Sequence, residues 1–297
     1  MRKHIFLAVV ILVFTFFPSP GKSFTLTSHI NNEIIHLSST ARHLSQGEVV
    51  KVTLASAAVA GASARFNGND HAFLSSKDDT YFTLIPLPFD MKPGRYALTV
   101  TVDTTEAESR QFSFTVNVSP TDFPFQRITV DKQYVTPTDD VMERITNEIA
   151  LVKDVYASGS AAWLGTGTFI IPSQGTIRKN FGEKRIFNNE RHSIHKGVDI
   201  RSAHGWKVRA ANAGRIALAR DLYFAGNTVI IDHGGGLFSL YCHLSAINAR
   251  EGNLVAKGTV IGSVGATGRV TGPHLHWGVK LGGYAVDPLS LTSIPFD

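Results

Sequence analysis

The sequence predicts a mainly β protein in two parts: an N-terminal immunoglobulin-like sandwich and a C-terminal antiparallel β core with an open groove, joined by one connector helix. Three observations carry this. Apolar and polar residues alternate, with β-branched and aromatic residues enriched, along most of the chain. Only one stretch shows helical periodicity. Glycine use changes abruptly, since only five of the 26 glycines precede residue 157. A chain of 297 residues is long enough for two domains, and 43% hydrophobic residues against 18% charged ones excludes a disordered polymer.

Taken in order, the elements begin with a leader. Arg2 and Lys3 precede the apolar run 5–17, which Pro18 ends, and small residues follow. This composition predicts a signal peptide over 1–23 and export to the periplasm or cell envelope. The apolar run is short of the roughly 20 residues a membrane span needs, so no stable membrane insertion is expected once the leader is removed. Cys242 is the single cysteine, which rules out an intramolecular disulfide and lipid attachment at the leader.

Residues 24–120 form the predicted sandwich. "EVVKVTLA", "YFTLIPL", "GRYALTVTVD" and "RQFSFTVNV" read as strands, and Pro93-Gly94 marks a turn. Residues 121–160 form the connector. In "PTDDVMERITNEIALVKDVYAS", Thr138 or Asp139 can cap a helix with acids in its first turn. Val141, Ile145, Ile149, Val152 and Tyr156 form its expected packing stripe. Residues 161–297 are strands and turns, with a glycine hairpin expected at 234–236.

The net charge of +5 suits an anionic partner. The sequence shows neither a dense Lys/Arg run nor a basic helix, so nucleic acid is not expected.

Seven of the twelve histidines fall between residues 192 and 276. In "VTGPHLHWGV", alternation puts His274 and His276 on one strand face, with Leu275 and Trp277 on the other. In "LFSLYCHL", Phe238, Leu240, Cys242 and Leu244 share an apolar face, and Ser239, Tyr241 and His243 look into a groove. Cys242 then reads as a small buried hydrophobe. In "RHSIHKGVDIRSAHG", His195 and Asp199 stand four apart where a loop enters a strand, with His192 competing for the place of His195. Imidazole and carboxylate suit Zn2+, which takes N and O donors in a tetrahedral shell. A catalytic site needs three protein ligands and an open position. His195, Asp199 and one member of the H-x-H pair can supply them. The other member and His243 then stand beside the metal, where a general base and an oxyanion stabiliser belong.

These motifs, with "GNTVIIDHGGGLFSLYCHLS", "EGNLVAKGTVIGSVGATGRVTGPHLHWGV" and "VDPL", resemble the lysostaphin/LytM-type zinc metalloendopeptidases over about residues 165–292. That family cuts peptide bonds in peptidoglycan. The resemblance implies its duplicated-hybrid-motif type of β fold. It also implies zinc on His195, Asp199 and His276, with His243 and His274 catalytic. "TIRKNFG" is similar to the family's strand and turn entering the groove. The preceding β region resembles the immunoglobulin-like domain of some secreted members. The implied function is a secreted endopeptidase acting on peptidoglycan stem or cross-bridge peptides, by attack of zinc-activated water with a histidine base. One departure is Asn188-Asn189-Glu190-Arg191, where some members carry an oxyanion-binding tyrosine. The competing function is a non-catalytic wall-binding or amidase-activating regulator. A third reading, a biotinyl/lipoyl hairpin with Lys257 modified, leaves the histidines unexplained.

Overall fold

The computed structural model describes residues 24–30, 33–39, 44–57, 59–76, 78–105 and 108–296. The expected leader, 1–23, lies outside the described residues. The chain divides into two compact units. The first comprises Met1–Leu44, Val50–Ile85 and Gly94–Asn117; the second comprises Ser45–Val49, Pro86–Pro93 and Val118–Asp297. Two short segments from inside the N-terminal span therefore belong with the C-terminal unit.

The first unit is β throughout its described residues. One sheet orders the strands Phe24–Ile30, Glu33–Ser39, Val49–Ala55, Thr80–Pro86 and Leu74–Ser75. The other orders Asn69–Ala72, Val59–Phe66, Gly94–Thr104 and Ser109–Val118. In Gly94–Thr104 burial follows the sequence alternation: Leu98, Val100, Val102 and Thr104 are buried. A period of two therefore places one face of this strand in the core.

In the second unit the central strand is Leu275–Leu281. It pairs antiparallel with Gly197–Arg201 on one side and Leu237–Ile247 on the other. The sheet continues through Gly226–Gly234 to Gly214–Leu222. The glycine hairpin forms as expected, because Gly234, Gly235 and Gly236 all take positive φ, which glycine adopts without steric cost. Leu275 and Trp277 are fully buried, so the apolar face of the central strand anchors it in the core.

The helix spans Asp139–Ala157 with Thr138 at its N-cap. Val155, with Leu151, Val152 and Tyr156, packs on a core of Leu218, Leu222, Ile230 and Phe238. Ile145 is buried and Val152 and Tyr156 pack as expected, but Ile149, 65% exposed, departs from the expected stripe. The packing face is centred toward Val152 and Val155, and Ile149 falls on its edge. The connector also supplies a strand, Phe125–Ile128, which runs parallel to Lys184–Phe187. Four residues without clear alternation give no local sign of such a pairing. Lys257 is held by the carbonyls of Thr166 and Thr168 at 2.9 and 3.2 Å, which leaves the lipoyl reading without a presented lysine.

Candidate metal centre and catalytic site

Strand register builds the centre. Asp199 pairs directly with His276 across neighbouring strands, and directly opposed residues share a face. His195 sits where the strand Arg191–Ile194 turns into Gly197–Arg201. Its backbone is tied on both sides: His195 N donates to Glu183 O at 2.9 Å, and Gly182 N donates to His195 O at 2.8 Å. Gly197 lets the strands close. A Cβ there would lie 2.5 Å from the Trp277 carbonyl oxygen and 2.8 Å from Cε1 of His276.

Three donor atoms converge as a result. His195 Nε2 lies 2.8 Å from His276 Nδ1 and 3.0 Å from Asp199 Oδ1. His276 Nδ1 lies 3.3 Å from Asp199 Oδ1. His195 Nδ1 meets the Asn180 carbonyl at 2.9 Å. A carbonyl only accepts, so the proton of neutral His195 sits on Nδ1 and Nε2 presents a lone pair. At most one proton, on His276 Nδ1, fits among the three atoms. His195 Nε2 and Asp199 Oδ1 then still face each other with no hydrogen between them, an arrangement a cation relieves. Tetrahedral donors about 2.0–2.2 Å from zinc stand roughly 3.3 Å apart, so the spacing and chemistry of the set fit that ion. Among the described residues, this is the group of His, Cys, Asp and Glu side chains positioned to hold a metal.

A polar scaffold aims the donors. Asp199 Oδ2 accepts from Asn180 Nδ2 at 2.8 Å and from Arg185 Nη2 at 2.9 Å, which leaves Oδ1 for the centre. Asn180 Oδ1 accepts from Asp199 N at 3.1 Å. One residue thus orients both His195 and Asp199. Glu183, 1% exposed, accepts from Arg178 and Arg185 at 2.8 Å each. Burial works to raise the Asp199 carboxyl. Hydrogen bonds and charge from His195 and His276 outweigh it and hold the group well below the usual carboxylate range. The sequence reading missed Asn180, Glu183 and Arg185. The available signal was "RKNFGEKR", a polar run beside a turn glycine. Asn180→Ala is expected to weaken metal binding about 10- to 100-fold, as loss of an outer-shell partner does; competition with a calibrated chelator measures it.

His274 and His243 complete the face. His274 Nε2 lies 3.6 Å from Asp199 Oδ1. The His243 ring centre is 5.1 Å from that of His274 and 6.1 Å from that of His276. The structure therefore brings together all five residues singled out in the sequence. His192 is not among them, because it pairs with Ile186 on the other face of its hairpin from Arg185 and Phe187. His274 Nδ1 donates to the Gly272 carbonyl at 2.8 Å, and His243 Nδ1 donates to the Thr267 carbonyl at 2.9 Å. Both neutral rings therefore present Nε2 as an acceptor. Burial pushes the His274 pKa down. Burial, then charge on His274 and His276, pushes His243 well below the ordinary histidine value.

The strand around His243 departs from simple alternation. Tyr241 does not look into the groove; it is fully buried and hydrogen-bonded to Ser239 at 2.9 Å, which meets His233 at 2.7 Å. The cause is local. His243 has φ of 64°, the left-handed region, and the pairing with Gly226–Gly234 slips a register between Val229 and Asn227. This bulge re-aims the ring of His243 while leaving Tyr241 in the core. Cys242 is buried, and burial pushes its thiol up to about 12. It is an unreactive thiol, as a small buried hydrophobe should be.

Residues 193–288 match peptidase family M23. Over 98 residues the chain is 45% identical to a DD-carboxypeptidase/endopeptidase, Mpg, of Neisseria meningitidis serogroup B, covering 33% of this chain and 23% of that protein. Over 120 residues it is 36% identical to the peptidoglycan DD-endopeptidase ShyA of Vibrio cholerae serotype O1, covering 40% of this chain and 28% of that protein. The chain thus spans about a quarter of the length of these curated relatives. A crystal structure described as a peptidase M23 from Pseudomonas aeruginosa covers 85% of this chain and 96% of its own, with a TM-score of 0.62 and 26% identity.

Proposed function

We propose, from the match of residues 193–288 to peptidase family M23, that the protein is a zinc-dependent metalloendopeptidase that hydrolyses peptide bonds in peptidoglycan stem or cross-bridge peptides. The observation that carries this is the convergence of His195 Nε2, Asp199 Oδ1 and His276 Nδ1 within 3.3 Å, with the bare Nε2 of His274 facing the same carboxylate at 3.6 Å. The curated relatives, named for endopeptidase activity, support the substrate class.

In this reading His195, Asp199 and His276 hold the ion. Bound there, zinc supplies Lewis-acid polarisation of a peptide carbonyl and lowers the pKa of a water toward about 7. His274 Nε2 is the free acceptor that would take a proton from the attacking water, because its Nδ1 is already committed to Gly272. His243 starts as an acceptor for the same reason, with Nδ1 committed to Thr267. It becomes an N–H donor toward developing charge only after gaining a proton. This refines the oxyanion role expected from sequence: the resting ring cannot donate from Nε2.

The proposed layout places the catalytic domain at 161–297, behind an immunoglobulin-like domain at 24–120 and a connector at 121–160. Export under a leader at 1–23 would put the enzyme where its polymer lies. The test is direct. Zinc-loaded protein is incubated with purified peptidoglycan, and released muropeptides are identified by mass. Release should stop with a chelator and return with zinc. Wall binding without release would support the regulator instead.

A further inference from the structure

Beside Arg185, which orients Asp199, stand two arginines that do not touch the proposed metal ligands. The hairpin of Lys184–Phe187 and Arg191–Ile194 pairs Phe187 with Arg191 and Arg185 with Ser193. These four residues therefore share a face. Arg185 reaches Asp199 at 2.9 Å, so that face borders the centre. Arg269 comes to it from another loop. Its guanidinium carbon stands 4.3 Å from the ring centre of Phe187 and 4.9 Å from that of Phe224. The guanidinium carbon of Arg191 lies over the same Phe224 ring, 5.6 Å from its centre.

The cluster is unbalanced in charge. Among the described residues, no carboxylate lies within ion-pair reach of Arg191 or Arg269. The neighbouring acids are engaged elsewhere: Glu183 with Arg178 and Arg185, and Glu190 with the hydroxyl of Thr136. Burial, then the charges of Arg191 and Arg185, lowers the Arg269 pKa to about 10. The fold thus gathers like charges beside the centre and, while Arg185 is bonded to Glu183 and Asp199, leaves the side chains of Arg191 and Arg269 without a carboxylate. Contact with Phe187 and Phe224 holds the Arg269 guanidinium, and contact with Phe224 holds that of Arg191, without using the N–H groups. Such a held, unpaired guanidinium suits bidentate recognition of a carboxylate.

We propose that Arg191 and Arg269 form a subsite for a free carboxylate of the peptide that is cut at the neighbouring centre. The inference rests on the endopeptidase reading above. It gives the groove a charge preference along the substrate. The carboxylate can be the terminal one of the peptide or one on a side chain.

Three muropeptides separate these cases: one with its carboxylates free, one amidated at the terminus, and one amidated on the side chain. The zinc-loaded chain, Arg191→Ala and Arg269→Ala are compared for kcat and KM on each. Amidating the contacted carboxylate should raise KM about 10- to 100-fold, the worth of a hydrogen bond to a charged group, and leave kcat within a few-fold. Which amide has this effect identifies the source. In both variants the preference for acid over amide should collapse toward one. Arg191 is exposed, so its variant keeps the test informative if Arg269→Ala fails to fold. An unchanged preference in Arg191→Ala, or none in the unmodified chain, overturns the proposal. Calorimetric binding of the same peptides to metal-free protein separates it from the parent reading. If the loaded chain cuts none of the peptides, the endopeptidase reading fails, while an acid-over-amide binding preference lost in Arg191→Ala still supports the subsite.

Discussion

His276→Ala is expected to abolish both metal retention and hydrolysis. The substitution removes one of three donors. It leaves His195 Nε2 and Asp199 Oδ1, 3.0 Å apart, as a two-point site. The fold should persist, because Leu275 and Trp277 on the opposite face remain buried and keep the strand in place. Lewis-acid stabilisation is worth several kcal/mol, so turnover should fall by about 10³-fold or more. The check is metal content per chain after dialysis, alongside muropeptide release. A variant that still releases muropeptides at the unmodified rate would sink the assignment of His276.

His274→Ala should give the second-largest effect, with a different signature. His274 faces the centre 3.6 Å from Asp199, and its other nitrogen is held by Gly272. Losing the ring therefore leaves all three proposed ligands in place. Zinc should bind within a few-fold of the unmodified affinity. Turnover should drop by about 10²- to 10⁴-fold, the usual worth of a positioned base, with little change in KM. The comparison of the two variants carries more than either alone. If His274→Ala loses zinc as completely as His276→Ala, the division between holding the ion and moving a proton fails.

Much of this site was legible in the sequence, and the reasons are physical. Alternation alone put His274 and His276 on one face, since neighbouring strand residues point oppositely. The spacing of His195 and Asp199 marked a loop entering a strand. What alternation does not encode is register. Asp199 and His276 are 77 residues apart, and only the sheet shows that they are direct partners. The choice between His192 and His195 likewise depended on hairpin pairing. Tyr241 was misplaced because the rule assumes a regular strand, and the bulge at His243 breaks it. Asn180 was passed over because the polar run around it does not tell which of its side chains turns inward. Its importance arises from bonding two residues that lie 15 and 19 positions away.

The left-handed backbone at His243 sets fold and chemistry against each other at one position. An L-residue with a Cβ pays roughly 1 kcal/mol or more for that conformation, which glycine adopts freely. Stability alone would therefore favour glycine at this position, and a role for the ring is the reason to keep imidazole there. Position 243 is a natural gauge of purpose: descendants that lose the proposed hydrolysis should relax it early, while their sheets stay intact.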